Sequence, residues 1–167
     1  MWADLHSKKP VLIVGVGNLI QRDDGFGVHV VRKLADEELP EDVELFDGGT
    51  LGPEMLPWLE GRDKVVFIDA VNADMEPGKL FRFKPGDLQY QMQEKTSIHE
   101  IGLIDTLSMA ELMGTAPRDV VIIGVQPKVV DWGEELSPEL QNVIPKVINL
   151  VKNEITKHNS ISEEHDE

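Results

Sequence analysis

Four aspartates and one histidine stand where their side chains could do chemistry. Asp23 and Asp24 follow "VLIVGVGNLIQR" (11–22), Asp47 closes "VELF" (43–46), and Asp69 comes directly after Val-Val-Phe-Ile in "KVVFIDAV" (64–71). If those apolar runs are strands of one sheet, the acids collect on one rim. Their mutual repulsion is costly unless a cation or shared protons relieve it. Taken singly, Asp24 also suits a helix cap and Asp47-Gly-Gly a turn. Asp69 is the hardest to explain that way, because it sits in an apolar segment with no turn residue beside it. His99, in "KTSIHEIGLID", falls in the first turn of a helical pattern. The helix dipole there depresses an imidazole pKa and favours the neutral form that binds metal, although the position equally suits an ordinary first-turn polar residue. Glu100 is best explained as the reciprocal cap of Ser97. His6, His158 and His165 lie in terminal segments, and His29 is expected on the polar side of the first helix. Two Asp and one His make an N/O site with open positions, admitting Zn(II), Ni(II), Mn(II) or Fe(II).

Other chemistries are excluded. The chain has no cysteine, so thiolate ligands and a Cys nucleophile are impossible. Leu103 stands four residues after His99, so there is no HExxH zinc motif, and no serine occupies a Gly-x-Ser-x-Gly elbow. "GVGNLIQRDDG" (15–25) is not a P-loop, and the third glycine of a dinucleotide fingerprint is replaced by Ile20. Asp47 could still mimic the ribose-binding acid, so a nucleotide-binding domain stands as an alternative.

The elements that must position these residues are legible as patterns. Near-continuous aliphatic runs at 11–16, 64–71 and 119–125 read as strands covered on both faces, with a fourth at 43–48. "KLFRF" (79–83) alternates, as an edge strand would. Helical patterns cover Phe26 to about Leu39, 53–60 and 97–113, the last ending at Gly114. A final helix starts at Ser137-Pro138, and Pro145 should bend or interrupt it. This alternation predicts a three-layer α/β/α sandwich around a mostly parallel five-stranded sheet, whose ligands bind beyond the carboxyl ends of the strands.

A chain of 167 residues makes one domain, assigned to 1–157, with "HNSISEEHDE" (158–167) as an acidic, disordered tail. The net charge of −15 disfavours nucleic acid and anionic membrane as partners and favours cations or a basic protein. No apolar run reaches the roughly 20 residues that cross a bilayer, and a cytoplasmic monomer is expected. Trp132 either lines a cleft or pins its loop to the core; the second is preferred, since a lone aromatic is usually packing.

Taken together, "VLIVGVGNLIQRDDGFGVHVV" (11–31), "DGGT" (47–50), "VVFIDAV" (65–71), "SIHEIGL" (97–103) and "VVIIGVQP" (120–127) resemble, in that order, the [NiFe]-hydrogenase maturation endopeptidases. The resemblance spans about residues 10–152. It implies that Asp24, Asp69 and His99 bind nickel, with Asp23 as the fallback for the first. Asp47, Gly48, Gly49 and Thr50 are implied in substrate recognition. The implied reaction removes a C-terminal extension from the hydrogenase large-subunit precursor after nickel insertion. The nickel is then contributed by the substrate, and the isolated protein could carry another divalent cation. A non-enzymatic nickel chaperone is the main alternative, and a two-metal aminopeptidase is disfavoured by the sparse ligand set.

Overall fold

The computed structural model describes residues 8–87 and 98–165, with the side chains of 98–101 outside that description. Five strands form one sheet: β1 (Val11–Val16), β2 (Val43–Gly49), β3 (Lys64–Ala70), β4 (Leu80–Phe83) and β5 (Asp119–Val125), in the order β2-β1-β3-β5-β4. The first four in that order are parallel; β4 pairs antiparallel with β5 at the edge, as its alternating pattern requires. The helices are α1 (Phe26–Leu34), the short α2 (Leu56–Leu59), α3 (Ile98–Met113) and α4 (Pro138–His165). Short 3-10 turns at Arg22–Gly25 and Pro53–Met55 lead into α1 and α2.

Strand alternation sends each strand's side chains to two separate cores. Ile13, Val66 and Ile68 pack with Phe26 and Leu34 of α1 and with Leu140, Val147 and Val151 of α4. Leu12, Val14, Val65 and Phe67 pack on the opposite face with Met55, Leu59 and Leu103 and Leu107 of α3. The sheet is therefore the middle of three layers, and the expected α/β/α sandwich is observed.

Two glycines set the spacing between α1 and the sheet. A Cβ on Gly27 would stand 2.0 Å from the Ile68 carbonyl oxygen and 2.5 Å from that of Val16, and one on Gly15 would stand 2.3 Å from the Gly27 oxygen. Backbone touches backbone here, so α1 lies directly over β1 and β3. Close packing of helix on strand, assigned to the third glycine in nucleotide-binding turns, is done by Gly27, well beyond the loop.

The largest differences from the sequence expectation are in the helices α1 and α4. α1 stops at Leu34 rather than near Leu39, since Asp36, Glu37 and Glu38 oppose the dipole at a helix carboxyl end and Pro40 cannot continue the helix. α4 continues through Pro145, so the proline does not interrupt it. Pro145 and Gln141 are both exposed, so the carbonyl freed by the missing N–H faces water while Leu140, Ile144 and Val147 hold the buried side. The same helix continues to His165, so the segment from 158, expected to be disordered, is helical to that residue.

A buried ion cluster fixes α4 at the amino end of the sheet. Lys64 Nζ lies 2.7 Å from Glu154 Oε2 and 3.2 Å from Asp119 Oδ2, and Arg82 also pairs with Glu154. Burial raises the Glu154 pKa, but the Arg82 and Lys64 partners outweigh it and hold the carboxyl down to about 2. Among the described residues no helix is long and apolar enough to cross a membrane.

Candidate active site

Asp23 and Asp24 are adjacent in the 3-10 turn and both are buried, yet they do different work. The Asp23 carboxylate is saturated. Its Oδ2 accepts from Lys128 N (2.9 Å), Val129 N (2.9 Å) and Ser137 Oγ (2.8 Å), and its Oδ1 accepts from Ser137 N (2.7 Å). Burial raises its pKa, but these donors more than offset that and hold it below the usual carboxylate value. Asp23 is thus the tie that fastens the segment 128–137 to the turn, and its oxygens are spent on that bond set. The fallback position for a metal ligand is eliminated.

Asp24 turns the other way. Its Oδ2 accepts from the Asn18 backbone N–H at 3.1 Å, in the loop that leaves β1. Neither the 3-10 turn nor α1 has a side-chain cap bond, so Asp24 is no helix cap. The loop closes tightly: Gly17 has φ +140° and a Cβ there would stand 1.9 Å from the Asp24 oxygen of the backbone. Arg22, at φ +51°, holds the left-handed conformation that a non-glycine residue rarely adopts, with its backbone N–H on Gly133 O and its Nε on Glu135 O. The turn packs against β3.

Asp69 is 1% exposed in that strand. By alternation it shares the face of Val65 and Phe67, the face covered by α3. In register it lies beside Gly124 of β5, one step beyond the Gly15–Ile68 pair of β1 and β3. Asp69 and the Asp24 turn therefore meet at the carboxyl end of β1 and β3.

The side chain of His99 lies outside the described residues, but its place in α3 is given. Gly114 and Thr115, just past α3, line a cleft with Arg62 and Asp63 at the amino end of the sheet. A helix of 16 residues is about 24 Å long, so the first turn of α3 lies towards the opposite, carboxyl end of the sheet. Position 99 also precedes Leu103 and Leu107, both buried against Phe67, at spacings of four and eight. Among the described residues no three His, Asp or Glu side chains form a metal-binding group.

The expectation of a single acidic rim is corrected at Asp47. Val43 and Leu45 pack on the α1 face, so Asp47 belongs to that face, across the sheet from Asp69. It is exposed, paired with Arg32 at 3.5 Å, and its Oδ1 accepts from Gly49 N at 3.1 Å. Gly48 is buried with no room for a Cβ, 2.9 Å from Val14, and Gly49 has φ +49°. The Gly49 carbonyl accepts from Gly17 N at 2.8 Å, so this stretch, with exposed Thr50, flanks the Asp24 loop.

Two partners were not foreseen. Ser137, at the start of α4, reaches Asp23 with its hydroxyl; the paired acids of 23–24 are the signal for it, since adjacent residues in a tight turn point in different directions. Gln126, buried after β5, accepts at Oε1 from Ala73 N (2.8 Å) and Met75 N (3.2 Å) and so shapes the loop that follows Asp69. His29 is half-buried, not on an open polar face. Burial holds its imidazole below the usual pKa, against the opposing bond to the Glu134 backbone. Trp132 is 76% exposed, so it does not pin its loop to the core.

Known proteins share this fold and much of this sequence. Residues 28–154 match the family described as HycI, hydrogenase maturation protease. The chain belongs to the hydrogenase maturation protease family. It is 34% identical to the hydrogenase expression/formation protein HupD of Bradyrhizobium diazoefficiens over 84% of this chain and 74% of that one. It is 32% identical to the hydrogenase 2 maturation protease of Escherichia coli over 84% of this chain and 87% of that one. The structure of the hydrogenase maturating endopeptidase HybD from E. coli superposes with a TM-score of 0.83 at 29% identity, covering 89% of this chain and 93% of that one. The present protease shares its fold with that endopeptidase.

Proposed function

We propose that this maturation protease removes the C-terminal extension of a [NiFe]-hydrogenase large-subunit precursor, and that it does so once nickel has been inserted. The observation that carries the reading is the pair of buried carboxylates, Asp24 in the turn after β1 and Asp69 at the carboxyl end of β3, the strand against which that turn packs. Carboxylate and imidazole donors suit a borderline divalent ion such as nickel. In this reading Asp24, Asp69 and His99 complete the coordination of the nickel that the substrate brings. That contact fixes the scissile bond against the site, which lowers the entropic part of the barrier. With no cysteine in the chain, and no serine elbow, the attacker is a water that a carboxylate or the metal activates. Asp47 to Thr50, beside the Asp24 loop, serve substrate recognition. The protease works in the cytoplasm as a monomer.

Replacing Asp24, Asp69 or His99 by Ala tests the assignment. Each variant is expected to lose about 100-fold or more in processing rate, at or beyond the loss that follows removal of a metal's outer-shell partner. Melting curves close to that of the parent would show the fold intact. If His99→Ala cleaves the precursor at the parent rate, the ligand set is wrong. A nickel chaperone without peptidase activity would bind the precursor and leave its size unchanged.

A further inference from the structure

Three large apolar side chains stand exposed beside the Asp24 turn: Ile20 (47%), Val130 (54%) and Trp132 (76%). They belong to two segments joined by the backbone. Gly133 N donates to Ile20 O at 3.0 Å, Gln21 and Gly133 form a parallel bridge, and Asp23 N donates to Val129 O at 3.1 Å. Ile20 and Trp132 are the residues directly preceding the bridged pair, so they are neighbours across it. The segment is not a loose loop. Asp23 takes four donors from Lys128, Val129 and Ser137, and Arg22 binds the Gly133 and Glu135 carbonyls.

Leaving a tryptophan and two aliphatic side chains in water on a rigid, doubly anchored arm is costly, and a cluster of this kind marks a binding surface. Its charge says what binds. Asp131, Glu134 and Glu135 are exposed on the same arm, whereas Lys128 is neutralised by Glu139.

We propose that Ile20, Val130 and Trp132 form a docking surface for the substrate protein, for a segment bearing apolar side chains flanked by Lys or Arg. The proposal rests on the protease reading above. The surface adjoins the Asp24 turn through the backbone, so a chain seated on it has its neighbouring residues at the buried carboxylates. Trp132 supplies the anchor, the carboxylates of the arm steer the basic flank, and Asp23 keeps the surface in fixed relation to Asp24.

The test is steady-state cleavage of nickel-loaded large-subunit precursor by the full-length protein. Ile20→Ala combined with Trp132→Ala is expected to raise KM about 10-fold or more with kcat within about twofold, as loss of binding anchors does. Added salt should raise the parent KM, and raise it less in Asp131→Asn/Glu134→Gln/Glu135→Gln. Leu112→Ala, 89% exposed on α3 near the amino end of the sheet, should leave KM unchanged. A double variant with the parent KM, or an equal rise in Leu112→Ala, would overturn the docking surface while leaving the protease reading standing. A parent protein that does not cleave at all would overturn both.

Discussion

Two neighbouring aspartates divide their labour at this site. Asp23 satisfies the segment 128–137, and Asp24 closes the loop after β1, in a turn packed against β3. Their variants should therefore fail differently. Asp23→Ala leaves the donors of Lys128, Val129 and Ser137 without their acceptor, which should cost roughly 3 kcal/mol or more of stability; denaturant unfolding measures it. Asp24→Ala should lose processing with a far smaller change in stability. The pH dependence follows from the lowered Asp23 pKa. Stability from a carboxyl held low in the folded state is fully present above its unfolded value, about 3.9, and is lost as the pH falls below that. Asp23→Asn should flatten the acid limb of the stability curve, and an unaltered limb would contradict the role given to its hydrogen bonds.

At the level of elements, the site depends on α1 lying close enough to β3 for the Asp24 turn to reach Asp69. Gly27→Ala would drive a Cβ to 2.0 Å from the Ile68 carbonyl, and the helix would have to lift away. We expect a loss of several kcal/mol, read as a lowered Tm, together with loss of processing. This dependence was only partly legible in the sequence. Strands covered on both faces announced themselves through aliphatic runs, and "VVFID" marked Asp69 as an acid that burial alone would not tolerate. The Gly15–Gly27 contact was not legible, because only the packed structure shows two backbones touching. Whether Pro145 interrupts α4 was not legible for a related reason: its effect depends on which side of the helix faces water, and pattern alone does not reveal that Pro145 and Gln141 are exposed. Trp132 misled, since aromatic residues usually pack and its exposure reflects backbone anchoring by Asp23 and Arg22.

For the molecule as a whole, one end of the sheet is given to stability and the other to chemistry. At the amino end, Glu154 ties α4 to β3 through Lys64 and to β4 through Arg82, and Lys64 also pairs with Asp119 of β5. Glu154→Gln should destabilise the protease by about 3–5 kcal/mol, as removal of one partner from a buried pair does. It should leave the kcat of the remaining folded protein near that of the parent, which distinguishes it from the site variants. The parent should lose the Glu154 contribution as pH falls from about 4.5 towards 2, the window set by its ordinary and folded values. At the carboxyl end stand Asp24 in the turn after β1, the Asp47–Thr50 stretch closing β2, Asp69 near the end of β3, and the arm with Trp132 after β5. The net charge of −15 suits the proposed attraction of a cation and a basic chain segment. The most direct measurement is to incubate the purified protease with nickel-loaded and nickel-free large-subunit precursor and follow the size of the large subunit. Shortening of the nickel-loaded form alone is the expected result. Equal shortening of both forms would contradict recognition through the metal and leave Asp24 and Asp69 without the role assigned to them.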